Sequence, residues 1–455
     1  MATRLILDSD VHLVLSACPA YGHVRPLRSL AQSLSELGIY MTFITGSAFR
    51  ESLSHIKGLD VVPLTGKADY SMDDLAKFFP ERANVPKGPF QFLWDMENVF
   101  FGSLPEQHKV LQSVLKRPDL VNKKVVLISD AAFTGCMPMI LGSPGTRRVP
   151  LIGTSFFPLA VQSKDTAPFG MGLPSQGEAK NMEMNAQATQ MLSGLGDFLD
   201  QQLKPYNCTK TLPSRNPIEN WFLIQDILMQ LCVPAMEPYR SDLRPSFRYI
   251  GTFTGANTLR SPPDWFSSFV ENDKSGKPLL MVSQGTIAGG DVSELILPTI
   301  KACADLPVRL IVCAVALQKP ADFVLPENCK WAEWIPYELL FPHVNLVVNN
   351  GGYSAICQAF AAGIPMVVAG LTEDKAEATA RSAATGAAIN LATQTPSVEH
   401  LRDAIQKVLQ EPSYKAKAMG LKRDFAECDA VGSMIEGIQE MIGKFYGTAE
   451  MNGEH

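Results

Sequence analysis

His23 and Asp130 are residues whose types and places could move a proton. His23 stands in "CPAYGHVR" (Cys18–Arg25), a stretch with Pro and Gly that reads as a loop after the apolar run His12–Ala17. A neutral imidazole is a competent base near pH 7. Asp130 closes a second apolar run, Val125–Ile128, at the same edge of the sheet these runs would build. A carboxylate there would orient the imidazole and stabilise its protonated form. Plainer roles also fit: a solvated or helix-capping histidine, and an aspartate N-cap before Ala131. Spacing by itself favours the plainer roles.

Two glycine junctions point to an anion. Leu346–Asn349 runs into Asn350-Gly351-Gly352 and then into helical spacing over Ala355–Ala362, and Leu279–Ser283 runs into Gln284-Gly285-Thr286. The first N–H groups of a helix lack intrahelical partners and lie at the positive end of its dipole. Glycine lets an anion approach that backbone closely. One isolated Gly-Gly is more simply a turn. Two junctions at the C-terminal edge of one parallel sheet, where ligands bind in such folds, favour an anion site. Neither matches G-x-G-x-x-G or G-x-x-x-x-G-K-[ST], which argues against dinucleotide redox chemistry and a Walker NTPase.

These residues need elements to hold them. Leu27, Leu30, Ala31, Leu34 and Leu37 recur at helical spacing and stop at Gly38, and Ile39–Thr45 reads as the next strand. That is a βαβ unit of a parallel sheet, with Val125–Ile128 and Leu151–Thr154 as later strands. The alternation resumes with strands at Leu279–Ser283, Val308–Ala316, Leu346–Asn349 and Met366–Ala369, and a helix over Val292–Ala304. Between the two halves, Gly, Ser, Pro and charge mark residues 253–278 as a linker. Irregular apolar insertions at 68–118 and 160–232, rich in Met and Phe, read as packing helices or as the wall of a ligand cleft. The fold expected is α/β, with two Rossmann-like domains facing across a cleft.

Composition narrows the function. The chain has 455 residues, enough for two to three cores, and 46% of them are hydrophobic, so large cores can form. A net charge of −6 disfavours a nucleic-acid binder, which needs clustered Lys and Arg. No apolar stretch reaches the length of a membrane span, and "MATRLILDSDVHLVLSA" does not read as a signal peptide. Nine scattered cysteines without C-x-x-C read as reduced thiols, so a cytoplasmic location is expected and structural zinc is not. His12 reads as a structural histidine.

The segment "WIPYELLFPHVNLVVNNGGYSAICQAFAAGIPMVVAGLTEDKAE" (Trp334–Glu377) resembles the nucleotide-sugar signature of UDP-glycosyltransferases of the GT-B fold, in their macrolide-type and fungal branches. "PAYGHVRPLRSLAQSL", "VLISDAAF" and "DTAPFGMGLP" are similar to other parts of that family, so the likeness spans nearly the whole chain. It implies that Trp334 stacks on uracil and the Ile335 backbone bonds its edge. Ser283, Gly285 and Thr286 would line the diphosphate, and Gly351, Gly352, Tyr353 and Ser354 would open the helix pointing at it. Asp374 and Lys375 fall where the family has an Asp-Gln pair for sugar hydroxyls. Asn350 stands in place of a His beside the diphosphate, Ala355 in place of Ser or Thr, and Gln358 in place of the Glu that holds the ribose. Asn and Gln keep donors and acceptors there. With the resemblance, His23 and Asp130 become a catalytic dyad.

The resemblance also implies an acceptor-binding domain over 1–252, a nucleotide-sugar domain over 279–430, and a C-terminal segment 431–455 packed back on the first domain. The expected reaction is inverting and metal-independent: a hexose, glucose from UDP-glucose, moves to a hydroxyl of an apolar small molecule such as a phenol, polyketide, sterol or hydroxylated lipid. No D-x-D motif stands near the donor residues to call for a metal, and no cofactor is expected beyond the UDP-sugar co-substrate. A nucleotide-sugar epimerase of the same fold and a non-catalytic, transferase-like helper are the alternatives.

Overall fold

Short runs of apolar residues without polar alternation form strands covered on both faces. Leu279–Ser283, Met41–Thr45 and Leu151–Ser155 are buried along their whole length. The computed structural model describes residues 8 and 10–451, except 72–74, 87, 254–260, 286–290 and 315–316. Its first sheet holds β1 (Val11–Ser16), β2 (Met41–Thr45), β3 (Leu59–Pro63), β4 (Lys124–Asp130), β5 (Leu151–Ser155), β6 (Ile227–Gln230) and β7 (Phe247–Tyr249). The second holds β8 (Leu279–Ser283), β9 (Arg309–Cys313), β10 (Cys329–Ala332), β11 (Leu346–Asn349), β12 (Met366–Val368) and β13 (Ala388–Asn390).

Both sheets are parallel, in the orders β3-β2-β1-β4-β5-β6-β7 and β10-β9-β8-β11-β12-β13. Each order reverses once, between β1 and β4 and between β8 and β11. At such a reversal the connections leave to opposite sides and open a crevice beyond the strand ends. His23 and Asp130 follow β1 and β4; the two glycine junctions follow β8 and β11. The topology therefore puts each group of expected residues at its own sheet's crevice.

Four helices position the site: α1 (Tyr21–Glu36), α2 (Tyr353–Ala361), α3 (Lys375–Ala384) and α4 (Ala430–Met451). α1 buries Leu27, Leu30, Ala31 and Leu34 against the first sheet. α4 lies on the same sheet: Met434, Ile435, Ile438 and Met441 join Leu13, Leu15, Ile152 and Met229 in one core, and the Tyr446 hydroxyl donates to the Val125 carbonyl at 2.9 Å. Strands β3 and β7 have no apolar run to announce them because they are only half-buried at most positions. The described part of 253–278 is more than a connector, since Phe266 and Val270 are buried in the core of the second lobe. Among the described residues no helix is long and apolar enough to cross a membrane.

Candidate functional site

His23 lies in the first turn of α1, not in a loop. Pro19 and Gly22 make this stretch read as irregular. The burial of α1's later turns outweighs those weak helix formers, as tertiary packing commonly does. Ala20 is extended and caps the helix, its carbonyl accepting from the amides of His23 and Val24. The ring then reaches Asp130, the last residue of β4, with Nδ1 2.7 Å from Oδ2. Asp130 is fully buried, and its carboxylate also accepts from the amides of Cys18 at 3.2 Å and Ala132 at 3.0 Å. A carboxylate can only accept, so the proton sits on Nδ1 and the Nε2 lone pair is left for another partner.

Phe100, Phe156 and Phe157 surround the imidazole, with ring centroids 6.1, 5.7 and 6.1 Å away. Burial disfavours the imidazolium. The Asp130 charge, its hydrogen bond and the Asp374 charge outweigh that, and the His23 pKa is raised above its ordinary value. Cys18, His23 and Asp130 place one ligand atom each within 4.8 Å of one another. Burial pushes the Cys18 thiol well above its usual range, and the thiol donates to the Ala132 carbonyl at 3.4 Å. Each of these three groups already has a hydrogen-bond partner within the protein: His23 and Asp130 bond each other, and Cys18 bonds the Ala132 carbonyl.

Across the cleft, β8 and β11 lie side by side with Ser283 opposite Asn349. The Asn349 amide nitrogen donates to the Ser283 hydroxyl at 2.9 Å, and its oxygen accepts from the amides of Gly351 at 2.8 Å and Gly352 at 3.0 Å. The N–H groups of the two glycines are thus engaged by Asn349. Gly351 has φ +93°, and a Cβ there would meet Thr379 at 2.7 Å, so this position needs glycine. The N–H groups that open α2 are those of Tyr353, Ser354 and Ala355, which have no intrahelical acceptor. Asn350 is buried beside them. Its oxygen accepts from the Gly285 amide at 2.9 Å, while its Nδ2 has no partner among the described residues. Thr286 lies outside the described residues.

The Tyr353 side chain points away from this junction: its ring is buried and its hydroxyl donates to Glu237 at 2.7 Å. Gln358 donates to the Ser354 carbonyl at 3.1 Å, and both residues line a small cavity together with Arg25, Ser29 and Glu338. Trp334 is half-buried just beyond β10, and Ile335 is buried. Asp374 precedes the first residue of α3, and burial raises its pKa to about 6. Lys375 is 5% exposed and burial lowers it to about 8. Its ammonium meets the Glu373 carboxylate and the Thr372 hydroxyl, so it is tied within its own turn.

Sequence reasoning missed the residues that join the lobes. Arg25, two residues after His23, lies 5.2 Å above the Tyr337 ring and 4.0 Å from Glu338. Its place beside His23 on one helix was the available signal. Glu237, Arg381, Glu377 and Arg240 form a buried ion cluster at the junction of the lobes; Glu237–Arg240 and Glu377–Arg381 are local pairs, and nothing in the sequence joins one pair to the other.

Residues 298–437 match the family model described as erythromycin biosynthesis protein CIII-like, C-terminal domain. The chain is 38% identical to "UDP-glycosyltransferase 2" of Phaeomoniella chlamydospora, over 94% of this chain and 95% of that one. It is 29% identical to "UDP-glucosyltransferase A1" of Starmerella bombicola, over 97% and 95%. Among solved structures, the calicheamicin glycosyltransferase CalG4 superposes with a TM-score of 0.70 at 16% identity, covering 96% of this chain and 99% of that one. That last likeness is one of fold.

Proposed function

The chain belongs to the UDP-glycosyltransferase family, and from that premise we propose that it transfers glucose from UDP-glucose, with inversion and without a metal, to a hydroxyl of an apolar small molecule. The observation that carries the reading is the His23–Asp130 pair, 2.7 Å apart at one crevice and sensing the Asp374 charge from the other lobe.

In this mechanism the acceptor hydroxyl lies against Nε2 of His23. Nε2 takes the hydroxyl proton as the oxygen attacks the anomeric carbon from the face opposite the diphosphate, and Asp130 stabilises the imidazolium that forms. The departing UDP gains negative charge. The open N–H groups at the start of α2 and the free Nδ2 of Asn350 are donors of the kind that charge requires. Asp374 and Lys375, at the start of α3, meet the sugar hydroxyls. Phe100, Phe156 and Phe157 give the acceptor an apolar wall and keep water from the base. The word glucosyltransferase in the name of a relative supports glucose as the sugar. Neither an epimerase nor a non-catalytic helper finds support in the relatives, whose names are those of transferases.

Purified protein incubated with a set of UDP-sugars and a panel of phenolic, polyketide, sterol and hydroxylated lipid acceptors tests the proposal. Expected is a β-linked glucoside from the α-linked donor, seen by NMR. An α-linked product would refute inversion, and no product from any pair would refute the transferase reading.

A further inference from the structure

Glu237, Glu377, Arg240 and Arg381 are each less than a tenth exposed, and their charges balance two against two. Burying four charges is expensive, and an apolar cluster of the same size would often be as stable. What this cluster touches explains it better than stability does.

One Glu237 oxygen accepts from the Tyr353 hydroxyl at 2.7 Å and the Leu159 amide at 3.4 Å. The other meets Arg381 and, at 3.3 Å, Arg240. Both arginines donate to the Leu159 carbonyl at 3.0 Å. Arg381 also donates to Glu377 at 2.8 Å, and Glu377 accepts from the amides of Gly170 at 3.2 Å and Gly172 at 3.1 Å.

These contacts end on three parts of the site. Tyr353 is the first residue of α2, whose open amides face the diphosphate. Glu377 and Arg381 lie on α3, whose start carries Asp374 and Lys375. Leu159, Gly170 and Gly172 belong to residues 156–177, a stretch with no helix or strand that also carries Phe156 and Phe157 against His23. A stretch that long without regular structure needs an external clamp to hold one shape. Gly172, at φ +61°, sits so close to α3 that a Cβ would meet the Ala376 carbonyl at 2.7 Å.

We propose that Glu237 is the hub of a cross-lobe positioning device, holding the acceptor-side loop 156–177 in register with the helix starts that hold the donor. The inference rests on the transferase reading. Glu237 acts through its partners and touches neither substrate. Its effect is on the meeting of hydroxyl and anomeric carbon, the step most sensitive to misplacement.

The test compares wild type with Y353F, E377Q and E237Q. It reads sugar transfer against UDP-sugar hydrolysis, UDP affinity by calorimetry, and hydrogen exchange of peptides covering 156–177. For Y353F and E377Q the expected result is faster exchange in 156–177 and a transfer-to-hydrolysis ratio lowered by about tenfold or more, with UDP affinity unchanged in E377Q. A merely structural cluster would lower melting temperature and scale both reactions together; an unchanged ratio in an active enzyme overturns the proposal. If E237Q does not fold, Y353F, which removes one hydroxyl, decides. If wild type neither transfers nor hydrolyses, the functional reading fails by itself, and hydrogen exchange decides the inference: unchanged exchange in Y353F and E377Q overturns it.

Discussion

In the proposed mechanism three titrating side chains set the pH response. His23 must be neutral to accept a proton, and its pKa is raised, so kcat/KM should climb with pH through a limb above 6.5. D130N removes the charge and the carboxylate acceptor that raise it. The limb should then move to lower pH while the plateau rate falls, and a limb that stays put would separate Asp130 from His23. H23A should lower the transfer rate by about 10²–10⁴-fold, the usual worth of a positioned base, while UDP affinity is kept. Asp374 is ionised above about 6 and Lys375 is charged below about 8. The KM for donor should therefore be lowest between those values; a flat profile would place neither group on the sugar. The glycine junctions and His23 were legible in the sequence because chemistry and neighbours sat within a few residues. The engagement of the Gly351 and Gly352 amides was not, since it depends on which way the Asn349 side chain turns.

At the level of elements, β8 and β11 could be read from their residues because they are central, fully buried and apolar up to their last residue. Strands β10 and β13 were not, being short with half-buried positions. α1 was legible from Leu27 onward but not at its start, where Gly and Pro mask a helix that packing enforces. That start is the part that aims His23. The docking of α4 makes a separate prediction. Ile438 is fully buried between α4 and the first sheet, so I438A should cost about 2–5 kcal/mol, the range for such core truncations. K444A, on the exposed side of the helix, should change stability by less than about 0.5 kcal/mol. Scanning calorimetry compares them, and equal melting temperatures would mean that α4 does not secure the first lobe.

For the whole molecule, the two parallel sheets each present the crevice of a strand-order reversal, and in the proposed mechanism the donor and acceptor chemistry divide between them. UDP that engages the second crevice stabilises the folded state by mass action. At about a hundredfold over its Kd the gain should be ~2.7 kcal/mol, visible as a rise in melting temperature. N350L, which deletes the free Nδ2 donor, should diminish that rise; an undiminished rise would take Asn350 out of the donor site. The alternation of strands and helices announced this architecture because it is local. The Glu237 cluster was invisible because its members lie up to 144 positions apart and only the finished fold brings them together.

The twin crevices, one per sheet, make the protein modular in principle. A hybrid taking its first sheet from one relative and its second from another would inherit acceptor taste from the former and sugar preference from the latter. The salt-linked seam at Glu237, Leu159 and Arg381 limits that freedom, because its two sides must come from compatible parents. Swaps that respect the seam should yield working hybrids, and those that cut through it should yield halves that fold yet fail to cooperate.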